Sequence, residues 1–203
     1  MKLFLSFVLL LAPIPALAGD PAAGDLSTTF TETQEASADL VGGDGGCITT
    51  SANIFVTRLR GSTSQSSPVV VRRIFVRNMT RMNTCTGALE LSVNGSGPVE
   101  NFFFWDSGAS VGALLQLTNT VTGAVVPVRV DLVWTASGEK TDYRNETLRT
   151  RPDGTWDTES NFGMTVLSFT TGSVTDGAFQ YALTSPSAYI AKNTRKTKTP
   201  ITN

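Results

Sequence analysis

The chain has 203 residues, 16 lysines and arginines, 17 aspartates and glutamates, and no histidine. The lack of histidine excludes ordinary Ser–His and Cys–His nucleophilic catalysis and the common zinc ligand sets, so neither a metal nor a cofactor is expected. The length suits one domain large enough to bury a real core.

Residues 1–18, "MKLFLSFVLLLAPIPALA", read as a secretory signal peptide. Lys2 gives a positive start, Leu3 to Leu11 an apolar core too short to span a bilayer, and Ala16-Leu17-Ala18 a small-residue cleavage site. The protein is therefore expected to be secreted or periplasmic. Residues 19–46 combine Gly, Ala, Ser, Thr and six acids with no base. Such a segment has little apolar surface to bury and reads as a flexible acidic leader. The glycines of "LVGGDGGC" neither follow a strand and open a helix, as a phosphate loop does, nor supply the oxygen ligands of a calcium loop. They read as the hinge between leader and fold.

Cys47 and Cys85 are the only cysteines, and in an exported chain they are expected to pair, pinning the first strand of the folded domain to the turn at Thr86-Gly87. Closing a loop of that length stabilises by about 3–4 kcal/mol on the chain-entropy model. Between them the charge changes sign, with six arginines and no acid. In "VVVRRIFVRNMTRM", strand alternation places Arg73, Phe75, Arg77, Met79 and Arg81 on one face and Val70, Ile74 and Val76 on the other, with Arg72 as the exception. Arg58 and Arg60 would widen the patch from a neighbouring strand. Guanidinium groups alternating with apolar contacts suit an anionic polymer, such as an acidic cell-surface polysaccharide. Solvation of an exposed face, or pairing with acids from the leader, is the plainer account of the same arginines.

From there onward the period is two. Leu89, Leu91 and Val93 share a face, as do Val111, Ala113, Leu115, Leu117 and Val121, and then Val126, Val128, Val130, Leu132 and Trp134. In "NFFFWD", Phe102 and Phe104 must oppose Phe103 and Trp105, so that one pair enters the core and the other needs a cover; the chain itself is expected to supply it. Thr122-Gly123, Pro152-Asp153-Gly154 and Asp176-Gly177 are turn signals, and beyond the last Phe179, Tyr181 and Leu183 share a face. Asn78, Asn94 and Asn145 begin glycosylation-type triplets. The acid-rich stretch from Glu139 to Glu159 offers a weak glycan or calcium contact at Trp156, Asp157 and Glu159. A carboxylate-dependent glycosidase would have to draw its acid and base from there.

The expected architecture is all-β: a single antiparallel β-sandwich, or partly open barrel, of roughly eight strands over residues 47–191. Residues 192–203, basic and without an apolar anchor, read as a disordered tail. The expected function is an exported, non-enzymatic binding or surface-interaction module for an anionic polymer, with a structural subunit of a cell-surface assembly as its alternative.

Overall fold

A computed structural model of the chain describes residues 26–64, 66–152, 156–177, 179–181 and 184–200; the predicted signal peptide lies outside them. The described residues form one antiparallel sheet of ten strands: β1 (Leu26–Gly43), β2 (Ile48–Thr63), β3 (Val69–Asn83), β4 (Ala88–Pro98), β5 (Asn101–Trp105), β6 (Gly108–Thr118), β7 (Val125–Thr150), β8 (Trp156–Thr175), β9 (Gln180–Tyr181) and β10 (Thr184–Pro200). The strand order is β4-β3-β2-β1-β10-β8-β7-β6-β5, with β9 attached to β8. The all-β antiparallel expectation is met, in the form of a curled and incompletely closed sheet.

The ends of the sheet meet without a ladder. Asn119, just past β6, accepts the Ser92 N–H and donates to the Glu90 carbonyl of β4, and the Thr120 N–H reaches the Ser92 carbonyl. Gly95 and Gly97 make this approach possible: a Cβ at either would come within 2.5 Å of a leucine of β6, Leu117 and Leu115 respectively. The interior is filled by the predicted alternation. Val128, Val130, Leu132 and Trp134 of β7 and Leu115 and Leu117 of β6 are buried, as are Leu91 and Val93 of β4. Leu89 and Val121, at turns, are exposed instead. Phe179 and Tyr181 meet edge to face at 5.7 Å, while Leu183 lies outside the described residues. The disulfide is formed, with Cα atoms 5.2 Å apart, and ties the start of β2 to the β3–β4 turn. Gly123 and Gly177 take the positive φ that their turns require.

Two segments expected to be mobile belong to the sheet. The leader, over residues 26–43, is β1, the strand between β2 and β10, with Ala36, Ala38 and Leu40 buried. Its small side chains do not preclude burial, because Trp134 reaches across the interior and donates its indole N–H to the Ser37 carbonyl at 2.9 Å. Residues 44–46 are accordingly a hairpin turn rather than a hinge. The Asp44 carboxylate accepts the N–H groups of Gly46 and Ile48, bonds that hold its pKa below the usual value, with Ile48 the larger cause. A Cβ at Gly43 would lie 2.4 Å from the Ile48 carbonyl oxygen, which accounts for a glycine there. The tail, over residues 192–200, is the second half of β10 and pairs with β1 on one side and β8 on the other. Each segment is too polar to make a core alone, and each is held by ladders on both edges.

Candidate functional site

The arginine face is divided by a bulge. Pairing between β3 and β4 slips between Val76 and Met79, and Asn78 adopts a φ of 51°. One extra residue turns every following side chain to the opposite face. Arg73, Phe75 and Arg77 stay on the outer face as predicted. There Arg77 lies 5.1 Å from the Phe55 ring centroid and 5.6 Å from that of Phe75. Met79 and Arg81, expected beside them, turn inward. Met79 is fully buried, and Arg81 ion-pairs with Asp176 and with Glu90, the latter at 3.1 Å. Asp176 also accepts the Tyr181 hydroxyl and the Phe179 N–H. Arg81 is thus part of a polar plug at the end of the barrel nearest the disulfide. Burial against this carboxylate pushes the Tyr181 hydroxyl far above its ordinary range.

At the opposite end, β1, β2, β10, β8 and β7 continue past the core as an extended sheet. Its inner face prolongs the barrel interior, and the registers align it in rows. One row crosses six strands as Arg72, Arg58, Gln34, Lys192, Met164 and Asp142. The next holds Val70, Arg60, Glu32, Thr194, Phe162 and Arg144, and beyond it stand Phe30, Lys196, Ser160 and Glu146, then Lys198. Cations outnumber Glu32, Asp142 and Glu146, the acids of this face. Arg58 and Arg60, predicted as outer-face neighbours of Arg73, therefore lie on the inner face, joined by Arg72 and by lysines of the presumed tail.

Polar contacts tie part of the first row together. Lys192 pairs with Glu32 at 3.4 Å, Glu32 accepts from Gln34 at 2.9 Å, and Gln34 accepts from Arg58 Nη1 at 3.1 Å. The Nε atoms of Arg58 and Arg72 are buried without a hydrogen-bond partner. Beside this row a cavity of about 290 Å³ opens over Phe162 and Met164, edged by Lys140, Lys192, Asp142 and Asp106. A second, of about 450 Å³, continues past Phe162 to Arg144 and Lys196. Lys196 and Lys198 make no ion pair among the described residues.

The outer face of the same extension is balanced, with Arg73, Arg195 and Arg149 against Glu35, Glu159 and Asp157. Asp157 and Glu159 share this face as predicted, and Trp156, by alternation, lies on the other. Arg151 binds Asp157 at 2.9 Å and holds its carboxyl below the usual range, while Asn161, with Arg195 at 2.6 Å, does the same for Glu159. Both shifts run against the protonated carboxyl that the acid of a glycosidase pair requires. The Pro152-Asp153-Gly154 turn falls partly outside the described residues. No group of three or more metal-ligating side chains stands close enough to hold an ion among the described residues.

Glu35 is the acid shifted the other way. Burial raises its pKa in a groove that it shares with Tyr189, Tyr143, Thr165 and Lys192, and among the described residues no second carboxylate lines that groove. The folded state therefore holds the proton more tightly than the unfolded chain. Ionisation costs stability as pH rises through the raised value, and no cost exists below the ordinary one. Glu35→Gln is expected to raise the melting temperature at pH 7 and to leave it unchanged below about pH 4, where both states are protonated. Thermal unfolding across that range checks both the sign and the window.

The aromatic cluster divides as expected. Phe102 is buried and Phe104 half-buried against it, 6.5 Å apart and edge to face. Phe103 and Trp105 point outward, 62% and 43% exposed, and among the described residues no segment supplies the expected cover. They share the outer face with Val133 and Phe169, and the Trp105 ring lies across Gly108.

The site belongs to a class describable in structural terms only: an open antiparallel barrel with a cationic sheet extension at its mouth. No protein-family profile and no curated protein sequence matches the chain. Among solved structures, a Nitrosomonas europaea protein assigned as AttH aligns with 95% of this chain at 10% identity and a TM-score of 0.33. This chain spans 59% of that protein's length. An acetoacetate decarboxylase-like enzyme from Sphingomonas wittichii RW1 aligns with 87% of this chain and 92% of its own, at 10% identity and a TM-score of 0.25. These are loose overlaps and lend nothing to the reading of the site. Among the described residues no helix is long and apolar enough to cross a membrane.

Proposed function

We propose that the protein is an exported, non-enzymatic binding module that takes an anionic polymer along the inner face of its sheet extension. The observation that carries this reading is the excess of cations on that face beside a balanced outer face of the same strands. A polymer supplies repeated charges at the spacing of successive rows, and Phe162 and Phe30 give its backbone an apolar surface to lie on. Export is supported by the signal-peptide pattern and by the disulfide. The non-enzymatic part of the reading is supported by the pairing of Asp157 and Glu159 with cations.

The test is binding of heparin and polygalacturonate to the intact protein across a salt series. Salt-sensitive binding is expected, and the double variant Lys196→Glu/Lys198→Glu should weaken it about tenfold. Arg73→Glu/Arg77→Glu, on the outer face, should change it far less. Absence of binding by the wild type at low salt, or equal losses in the two variants, would overturn the assignment.

The exposed outer aromatics favour a second reading, a subunit of a surface assembly that associates through Phe103, Trp105 and Phe169. Light scattering that rises with concentration in the wild type and not in Phe103→Ser/Phe169→Ser would support it, and a monomer at every concentration would remove it.

A further inference from the structure

The row at the mouth of the barrel places Arg58 and Arg72 directly opposite each other on β2 and β3. Like charges in that relation repel, and a sheet normally avoids the arrangement. No acid of the described residues ion-pairs with either side chain. Arg58 spends one Nη1 donor on Gln34, a side chain buried to 6% exposure and itself fixed by Glu32. Both Nε atoms are out of contact with solvent and lack an acceptor. A buried charged donor without an acceptor costs free energy that an incoming anion recovers. Lys192 stands on the same row, past Gln34.

The number of donors narrows the anion. Each guanidinium presents a planar fork that matches one edge of two oxygens. A carboxylate has one such edge and serves one fork. A tetrahedral phosphate or sulfate group has several edges and faces both forks at once. We propose that Arg58 and Arg72 form a built site for a phosphate or sulfate group, the ester group of the polymer that the inner face binds. This rests on the polymer reading above and adds the chemical class of its charge: the module selects phosphorylated or sulfated chains over carboxylated ones.

The experiment compares dextran sulfate and polyphosphate with polygalacturonate on the intact protein, together with inorganic phosphate and sulfate followed through the arginine Nε–H resonances. Wild type is expected to prefer the ester and phosphate polymers by about tenfold over polygalacturonate. Arg72→Gln is expected to abolish the preference and retain the weaker carboxylate binding of the outlying lysines. Arg72→Lys keeps the charge and loses the fork, so it should behave like Arg72→Gln; circular dichroism and melting temperature confirm that both variants fold. Equal binding of all polymers by wild type, or an unchanged preference in Arg72→Gln, overturns the site and leaves the polymer reading standing. If phosphate or sulfate shifts the Arg58 and Arg72 Nε–H signals while no polymer binds, the polymer reading falls and the site stands for a small ester or free anion. No response to any probe overturns both.

Discussion

Replacing Trp134 by alanine is expected to destabilise the fold by about 3–5 kcal/mol, the usual cost of emptying a buried aromatic site. The side chain has no solvent exposure and fills the interior between β7 and β1. For a chain of this size the loss corresponds to a fall of about 6–20 °C in melting temperature. Trp134→Phe separates volume from hydrogen bonding. It keeps most of the ring but withdraws the donor from the Ser37 carbonyl, leaving a buried acceptor, and should cost about 1–3 kcal/mol. Urea titration followed by far-ultraviolet circular dichroism measures both. A Phe variant as stable as wild type would mean that the cross-barrel hydrogen bond contributes nothing to holding β1.

The second large effect belongs to Arg81. Arg81→Ala removes the guanidinium from Asp176, whose side chain is 2% exposed, and a buried ion pair broken on one side costs about 3–5 kcal/mol. Arg77, four residues earlier in β3, stacks on Phe55 and Phe75 at the outer surface, and Arg77→Ala should cost about 0.5–1 kcal/mol. The pair of variants tests the bulge itself. A regular strand would put both arginines on one exposed face and make their costs similar, and near-equal values would show that the chain does not slip at Asn78.

Much of the fold was legible from the period-two pattern of Val126 to Trp134 and of Val111 to Leu117, because a strand half buried in a single core leaves that pattern. The β1 and β10 strands were harder to read for a common reason. In β1 the buried apolar positions are Ala36, Ala38 and Leu40, and two alanines with a single leucine mark a face only faintly, although "TTFTET" has strand propensity. In β10, Lys192, Lys196 and Lys198 alternate with Asn193, Arg195 and Thr197. Both faces of that half are polar, so alternation carries no hydrophobic contrast. The residues of the candidate site suffered from the same blindness. Arg72 appeared only as an exception to the pattern on β3, and its partnership with Arg58 depends on a register that no single segment encodes. Asn78 was the one available sign of the slip that takes Arg81 inward, since asparagine tolerates a positive φ better than most residues.

The position of β10 also bears on the order in which this molecule can be assembled. Of the described strands it comes last in sequence, yet it is wedged between β1, the first of them, and β8. Until its 17 residues pair, no ladder joins β4-β3-β2-β1 to β8-β7-β6-β5, and β1 and β8 each present a long bare edge. Pairing β1 with β10 joins the described strands farthest apart in sequence, and closing so long a loop slows folding. Docking of β10 would therefore be a late event in folding, and until it occurs the sheet stays open along both of these edges.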